Sequence, residues 1–226
     1  MNKMNYTKFI PNQIDIAIIF ADELEFVEPQ SLNLEIIADL SCENFKLLKL
    51  RYKNIVFLYG QSRIGLLNAT SFCQYLIDNY NISVIINYGA VGSVDLPIHS
   101  QVYPSHFYYL DAKTPWYPNG QTPGEVAFYQ NNLWAKEPIN LASSSSFVTN
   151  VKQLDGFENI KIFDMEAFAL AKIAHNFSKK FYCLKYISDN LGNNENLNDV
   201  NTTIKEGARS SFELVISKLE EIANSL

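Results

Sequence analysis

Acidic residues stand at three points where predicted strands end, and carboxylates in such places can transfer protons or bind hydroxyl groups. Glu25 is the last acid of the run Asp22-Glu23-Leu24-Glu25, which follows the buried-type strand IDIAIIF. Asp189 comes directly after a second apolar strand, and Glu166 stands at the start of a predicted helix. These three positions are the candidates for acid–base chemistry.

A structural interpretation stays open at each position. Acidic residues after a strand can stabilise the N-terminus of a following helix through its dipole. For Glu25, spacing alone favours this structural role over the role of a catalytic base. Asp189, beside Ser188, either caps a turn or is an acid held next to a ligand so that it donates a proton. Of Asp164 and Glu166, one can cap the helix while the other binds hydroxyls, because a buried carboxylate needs partners and a vicinal diol would supply them.

The run Gly89-Ala90-Val91-Gly92 follows another buried-type strand. Gly89 could let the backbone approach a ligand closely, but a GxxG match alone is weak, and a tight turn that stops the strand is the default interpretation. The sequence contains no GxGxxG, Walker A, HExxH or GxSxG motif. The three histidines lack the spacing of metal ligands, so we expect neither a metal nor a cofactor.

The apolar pattern predicts strands that alternate with helices. Predicted strands cover 14–20, 45–52, 54–59, 83–88, 139–142 and 181–187, and predicted helices cover 64–79, 165–176 and 202–225, with Asp164 as the N-cap of the second. Residues 101–110 are predicted to be extended, and 114–124, rich in proline and glycine, to lack regular structure. This order indicates an α/β protein whose central sheet is covered on both faces, and such sheets bind ligands beyond the strand ends.

The composition is that of a soluble globular protein, since 47% of the 226 residues are apolar and 19% are charged. With 18 Lys and Arg against 24 Asp and Glu, the net charge of −6 argues against nucleic acid or a membrane surface as the partner. Three widely spaced cysteines without a CxxC pair fit a reducing cytosol. We therefore expect a cytoplasmic protein with a flexible tail over residues 1–13 and a single domain over residues 14–226.

Six motifs occur in order along nearly the whole chain: IAIIFADELE, SRIGLLNA, INYGAVGS, SSSSFV, DMEAFALAKIAHNF and LKYISDN. This ordered set resembles the 5′-methylthioadenosine/S-adenosylhomocysteine nucleosidases, within the wider purine and uridine phosphorylase superfamily. The resemblance implies a three-layer αβα sandwich around a mixed sheet and a homodimer. It also implies a cofactor-free hydrolase of purine salvage, which cleaves the N-glycosidic bond between adenine and a modified ribose.

The resemblance also implies a role for individual residues. Asp189 matches the general acid that protonates purine N7, Glu25 matches the base that activates the attacking water, and Glu166 matches the carboxylate that binds the ribose 2′- and 3′-hydroxyls. The other matched positions would contribute to the substrate site: Met165 at the sugar, Phe147 stacking on the purine, Val148 offering its backbone to the purine edge, Ser62 near the water, and Ser188 and Gly89. Two carboxyl groups with differently set pKa values can supply the proton and the activated water, as in inverting glycosidases.

Several positions depart from the pattern of the nucleosidases. Arg63 replaces a glycine near the presumed water site, Lys185 replaces an arginine on the last strand, and Asp22 stands where the family has an apolar residue near the sugar. Residues 143–146 replace a Gly-Asp-Ala element, and the segment 111–138 is shorter than in typical members. These departures leave the 5′ substituent of the substrate open, and Arg63 with Lys185 could define an anion or water site.

Two other functions stay open beside hydrolysis. An anion site at Arg63 and Lys185 would suit a nucleoside phosphorylase that uses inorganic phosphate, although Glu25 would repel that anion. The second is a catalytically weak nucleoside-binding protein. Such a protein has no need of three unpaired carboxylates around one pocket, because burying them is costly.

Aromatic side chains are concentrated in residues 103–118. Most of them are expected to pack in the core or on the surface. Because aromatic residues are enriched at interfaces and in binding pockets, we expect part of this segment to pack across a dimer and to form a wall at the 5′ end of the pocket.

Overall fold

The structure, a computed structural model, describes residues 15–157, 159–192 and 197–226. The tail predicted for residues 1–13 lies outside these ranges. The strands are β1 (Ile16–Phe20), β2 (Glu35–Asp39), β3 (Lys46–Tyr52), β4 (Ile55–Gln61), β5 (Val84–Ser93), β6 (Gln101–Val102), β7 (His106–Tyr109), β8 (Phe128–Tyr129), β9 (Asn140–Ser143), β10 (Ile160–Asp164) and β11 (Lys180–Asn190). The helices are α1 (Leu66–Asn79), α2 (Ala167–Asn176), α3 (Leu197–Ser217) and α4 (Leu219–Asn224), with short 3-10 helices at Glu23–Glu25, Pro29–Leu32 and Val151–Leu154.

The strands form one mixed sheet in the order β2-β3-β4-β1-β5-β10-β9-β7-β8, and β11 pairs with β5 and β6. Strand β11 runs parallel to β5 along its whole length, from Val84 to Ser93. The other edge of β5 changes partner, because β1 pairs with its first half, up to Asn87, and β10 pairs antiparallel at Gly92 and Ser93. Among the described residues, no strand covers this edge between Asn87 and Gly92, and a gap opens at the carboxyl end of β1.

Helices cover both faces of the sheet because the side chains of β1, all buried, alternate between two cores. Ala17 and Ile19 pack in one core with α1 and α2, and Ile16, Ile18 and Phe20 pack in the other with α3 and α4. The predicted three-layer αβα sandwich with a central mixed sheet is therefore confirmed. Among the described residues, no helix is long and apolar enough to cross a membrane.

The run Gly89-Ala90-Val91-Gly92 continues β5, so the tight turn predicted there is wrong. A Cβ atom at Gly89 would lie 2.6 Å from Glu25 Oε1, and one at Gly92 would lie 2.1 Å from a ring carbon of Phe163. The two glycines therefore make room for neighbouring side chains inside a strand, and neither is needed for a turn.

Other predicted elements differ at their ends. Asp189 lies within β11 rather than after it, and α2 begins at Ala167, which leaves Met165 and Glu166 in the preceding turn. The predicted final helix is two helices, α3 and α4, separated at Lys218. Strands β2, β8 and β10 were not predicted, although 114–124 lacks helix and strand as expected.

Candidate active site

A cleft lies at the gap in the sheet, where β1, β5 and β11 end. The carboxylates of Glu25, Glu166 and Asp189, from three distant parts of the sequence, all line it. Its apolar walls include Ile64, Phe147, Val148, Met165, Val200 and Ile204. The fold thus brings the three predicted acids into one site that is also lined by apolar side chains.

Glu25 fills the gap between β1 and β10. Its Oε1 accepts the backbone N–H of Ala90 at 2.7 Å, and its Oε2 accepts those of Ala21 at 2.9 Å and Asp22 at 3.1 Å. The residue is 5% exposed. Burial raises the pKa of Glu25 above its ordinary value, although Lys185 and the backbone donors offset part of the rise. A raised pKa makes the ionised carboxylate a stronger base.

Glu166 connects the turn before α2 to the turn before α1. Its Oε1 accepts the N–H of Gly65 at 2.7 Å, and Gly65, with φ of 107°, has a conformation that favours glycine. Its Oε2 lies 3.3 Å from the N–H of Met165. Burial and the neighbouring carboxylate of Asp164 raise the pKa of Glu166 to about 8, and Lys185 opposes that rise.

Lys185 and Asp164 form a buried ion pair beneath these carboxylates. Lys185 Nζ lies 2.9 Å from Asp164 Oδ2, and each side chain is 2% exposed. Asp164 also accepts the Ser143 hydroxyl at 2.5 Å and the N–H of Ala167 at 3.1 Å, so it caps α2 as predicted although Glu166 occupies the N-cap position. Burial alone would lower the pKa of Lys185, but the carboxylates around it hold that pKa above its usual range. Lys185 therefore remains a cation.

Asp189 reaches the cleft from a bulge in β11, where the register with β5 shifts between Ile187 and Asp189. The extra residue, Ser188, breaks the alternation of side chains, so that Ser188 and Asp189 both line the cleft. Ser188 Oγ lies 2.6 Å from Asp189 Oδ1 and 3.2 Å from the carbonyl oxygen of Val91. Ser188 is buried and Asp189 is half-buried, which leaves the Asp189 carboxyl accessible to a ligand in the cleft.

A loop after β9 carries Phe147 and Val148 to the cleft, and Asp111 fixes its start. The two carboxylate oxygens of Asp111 accept the hydroxyl of Ser144 and the N–H of Ser145, each at 2.7 Å. Val148 is buried, whereas Phe147 is 74% exposed at the rim. Phe147 is thus free to stack on a planar ligand.

Some predicted site residues do not line the cleft. Ser62 is buried, and its hydroxyl lies within hydrogen-bond distance of the carbonyl oxygens of Phe20 and Arg63. Gly89 makes room for Glu25 and does not contact the cleft. Their predicted places beside the substrate are therefore not supported by this arrangement.

The structure does not bring Arg63 and Lys185 together as an anion site. Arg63 is exposed, with φ of 66° in the left-handed region that favours glycine, and its guanidinium reaches toward the carbonyl oxygen of Glu43 at 3.5 Å. Lys185 is already paired with Asp164. Within the described part of the chain, no lysine, arginine or histidine lines the cleft.

Sequence reasoning missed two of the supporting interactions. Asp164 was recognised as a helix cap, but its pairing with Lys185 was not, because the two residues come from β10 and β11 and β10 had not been predicted. Asp111 lies 33 residues before Ser144 with no motif to connect them. The apolar run IKIF before Asp164 was the signal that could have revealed β10.

A model of the phosphorylase superfamily matches residues 15–220. The chain belongs to this superfamily. It is 26% identical over 227 residues to a 5′-methylthioadenosine/S-adenosylhomocysteine nucleosidase of Bacillus cereus, covering 90% of this chain and 94% of the relative. The resemblance to the nucleosidases predicted from the motifs is confirmed by this similarity.

Solved structures of the phosphorylase superfamily show the same fold. The 5′-methylthioadenosine/S-adenosylhomocysteine nucleosidase of Campylobacter jejuni is similar with a TM-score of 0.82 and 20% identity, covering 92% of this chain and 99% of that one. The futalosine hydrolase of Helicobacter pylori is similar with a TM-score of 0.80 and 18% identity, covering 94% of this chain and 98% of that one.

Removing Lys185 is expected to destabilise this superfamily member strongly, because Asp164 would be left as an unpaired buried charge. Lys185→Met should lower the free energy of unfolding by about 3–5 kcal/mol, measured by urea denaturation. The matched control is Lys161→Met, since Lys161 also lies 2.9 Å from a carboxylate, that of Asp95, but both partners are exposed. This control should cost less than about 1 kcal/mol, and equal losses in the two variants would contradict the assignment.

The pKa of Glu166 is about 8 in the folded protein against 4.5 for an unperturbed glutamate, and this difference predicts a pH-dependent stability. Between these values the folded state keeps a proton that the unfolded state has released, so the free energy of unfolding falls as pH rises. Glutamine is neutral at every pH. In Glu166→Gln, the fall in the free energy of unfolding between about pH 5 and about pH 8 should therefore be smaller than in wild type by on the order of 2–4 kcal/mol. Denaturation at several pH values tests this, with Glu221→Gln, at an exposed position of α4, as the control. Equal slopes in wild type and Glu166→Gln would refute it.

Proposed function

We propose that this chain is a nucleosidase that hydrolyses the N-glycosidic bond of adenine nucleosides such as 5′-methylthioadenosine or S-adenosylhomocysteine. The observation that carries the proposal is the meeting of Glu25, Glu166 and Asp189 in one cleft. The names of the relatives from Bacillus cereus and Campylobacter jejuni support this choice of substrate. The products are adenine and the substituted ribose.

Two carboxyl groups divide the proton transfers of the reaction. Asp189 in its protonated form donates a proton to purine N7. The C1′–N9 bond can then break, because the base leaves as a neutral molecule. Glu25, ionised, accepts a proton from the water that attacks C1′. Its burial suits this step, because the surroundings favour the neutral acid that forms when the proton is accepted.

Glu166 binds the ribose 2′- and 3′-hydroxyls, which donate to its carboxylate. Because the pKa of Glu166 is raised to about 8 in the free cleft, this binding uses the fraction of Glu166 that is ionised, and that carboxylate also stabilises the positive charge that develops on the sugar as the base leaves. Phe147 stacks on the purine from the rim of the cleft, Met165 contacts the sugar, and Val148 with Ser188 completes the purine end.

Water is the nucleophile in this proposal, rather than phosphate. A phosphorylase must hold a phosphate anion beside C1′, and such sites use arginine or lysine side chains. Neither predicted cation is placed to do this, because the Arg63 guanidinium points to the carbonyl oxygen of Glu43 and Lys185 is paired with Asp164. The carboxylate of Glu25 would repel phosphate at the same place.

A catalytically weak nucleoside-binding protein is less consistent with the cleft. Two of the carboxylates, on Glu25 and Glu166, are less than a tenth exposed, and burial raises the pKa of both. Binding a neutral nucleoside does not require buried acids, whereas proton transfer and charge stabilisation do.

We further propose a cytoplasmic homodimer that acts in purine salvage. Large apolar side chains are exposed: Phe147, which lines the cleft, is 74% exposed, Leu67 on α1 is 84% exposed and Trp116 is 97% exposed. Such side chains are typical of a surface that another protein copy covers. A second copy would bring part of segment 103–118 to the 5′ end of the partner's cleft.

Asp189→Asn is expected to lower kcat for adenine release about 10²- to 10⁴-fold, because an amide cannot protonate the leaving base. The assay measures adenine released from methylthioadenosine, adenosylhomocysteine and adenosine, and hypoxanthine released from inosine, with and without phosphate. Unchanged folding of the variant, checked by thermal denaturation, is the control. Unchanged turnover would defeat the acid assignment, and strict dependence on phosphate would make the enzyme a phosphorylase.

Leu67→Glu is expected to convert the dimer to a monomer, because it places a charge on the exposed apolar surface of α1. Size exclusion with light scattering at micromolar concentration measures the mass. Leu133→Glu is the matched control, since Leu133 is also exposed but lies beside the opposite end of β11, where its N–H bonds the Phe181 carbonyl. A wild-type monomer would reject the proposed dimer.

A further inference from the structure

Asp22 is the one acid of the first cluster that lines the cleft without a part in the proposed chemistry. It is half-buried, and its Oδ1 accepts the N–H of Leu24 at 3.0 Å as the N-cap of the 3-10 helix Glu23–Glu25. Asparagine or serine caps a helix as well as aspartate does. The cap therefore explains an oxygen at this position but not a negative charge.

The sheet order places Asp22 and Asp189 on opposite sides of β5. Asp22 follows β1, which pairs with one edge of β5, and Asp189 lies on β11, which pairs with the other edge. Glu25 lies between them, because its carboxylate joins the N–H of Ala90 on β5 to the N–H of Asp22. A ligand that spans the cleft from Asp189 across Glu25 thus ends beside Asp22.

This direction identifies the part of a nucleoside that Asp22 meets. In the proposed orientation the purine lies at Asp189, the reacting C1′ at Glu25, and the 2′- and 3′-hydroxyls at Glu166. The one part of the nucleoside not yet placed is the 5′ carbon with its substituent. It extends past Glu25 toward Asp22, in a cleft that the apolar side chain of Ile64 also lines.

The charge at this end of the cleft is not compensated by a lining side chain. Lys185 is paired with Asp164, and none of the described lining residues is cationic. A neutral thioether offers no hydrogen bond to Asp22 and would remove water from its carboxylate, which costs free energy. A hydroxyl or an ammonium group would donate to the same carboxylate.

We propose that Asp22 is a specificity-determining residue that makes methylthioadenosine, with its neutral thioether, a poorer substrate than adenine nucleosides whose 5′ substituent donates a hydrogen bond or carries a positive charge. This inference rests on the proposed function, because it uses the orientation of the substrate in the cleft. It also implies that nucleosides with a 5′-phosphate or 5′-carboxylate are rejected, since like charges would face each other.

The test compares three substrates that differ only at the 5′ position: 5′-deoxyadenosine, adenosine, and 5′-amino-5′-deoxyadenosine, whose amine is protonated at neutral pH. The wild type should give kcat/KM values in the order amine, hydroxyl, methyl. Asp22→Asn keeps the capping oxygen and removes the charge. The ratio of kcat/KM for the amine to kcat/KM for the 5′-deoxy compound should therefore fall about tenfold, as expected for one charge-assisted hydrogen bond. Asp22→Leu should in addition raise kcat/KM for methylthioadenosine.

Glu23→Gln is the matched control, because Glu23 is the adjacent acid and is exposed on a different groove, lined in part by Lys205 and Arg209. It should leave all the ratios unchanged. A ratio that stays within twofold of wild type in Asp22→Asn, or an equal fall in Glu23→Gln, would overturn the role of Asp22.

Binding measured by calorimetry separates this inference from the proposed hydrolysis. If the wild type cleaves neither these three nucleosides nor methylthioadenosine or adenosylhomocysteine, the proposed function fails, but the dissociation constants of the three nucleosides still test Asp22. The amine should then bind more tightly than the methyl compound in wild type, with the difference reduced in Asp22→Asn. Equal affinities in wild type would refute the inference independently of catalysis.

Discussion

The site depends on keeping several carboxylates buried close together with a single cation. Glu25, Glu166 and Asp164 are all less than a tenth exposed, and Lys185 beneath them provides the positive charge. Backbone N–H groups satisfy the oxygen atoms that Lys185 does not reach. Burial raises the pKa of Glu25 and of Glu166, and the one lysine offsets only part of each rise. The burial that makes the site costly is therefore also what makes its carboxyl groups suited to exchanging protons and to stabilising a cationic sugar.

A change of partner along β5 creates the space for this chemistry. Where β1 ends and β10 has not yet begun, the N–H of Ala90 has no strand partner on that edge among the described residues, and the Glu25 carboxylate accepts it instead. Gly89 and Gly92 allow this arrangement because a Cβ at either position would collide with Glu25 or with Phe163. The bulge at Ser188 then turns Asp189 into the same cleft. The sheet topology, rather than a flexible loop, holds the acids, and this explains how residues far apart in sequence keep a fixed relation.

The proposed purine end and the proposed sugar end of the cleft are built differently. Phe147 and Val148 come from a loop that is fixed by Asp111, whereas Glu166 and Asp22 stand in short turns attached directly to β10 and β1. Phe147 remains largely exposed in the single chain, and so do Leu67 and Trp116. In the proposed dimer, a second copy covering Phe147 would complete the wall of the cleft without changing the position of the acids, because Glu25 and Glu166 accept backbone hydrogen bonds and Asp189 bonds Ser188 within one chain.

The sequence by itself determined the alternation of apolar strands and helices, the three-layer class and the identity of the three acids, because these follow from periodicity and from ordered motifs. It could not show that the Gly89–Gly92 run continues a strand, since the need for glycine comes from Glu25 and Phe163, which contact it only in the folded chain. The ion pair of Lys185 with Asp164 and the contact of Asp111 with Ser144 were likewise decided by tertiary structure. The spacing of apolar residues indicates which face of a helix or strand is buried. The partner of a buried charge depends instead on which strands become neighbours, and this is fixed only when the whole sheet forms.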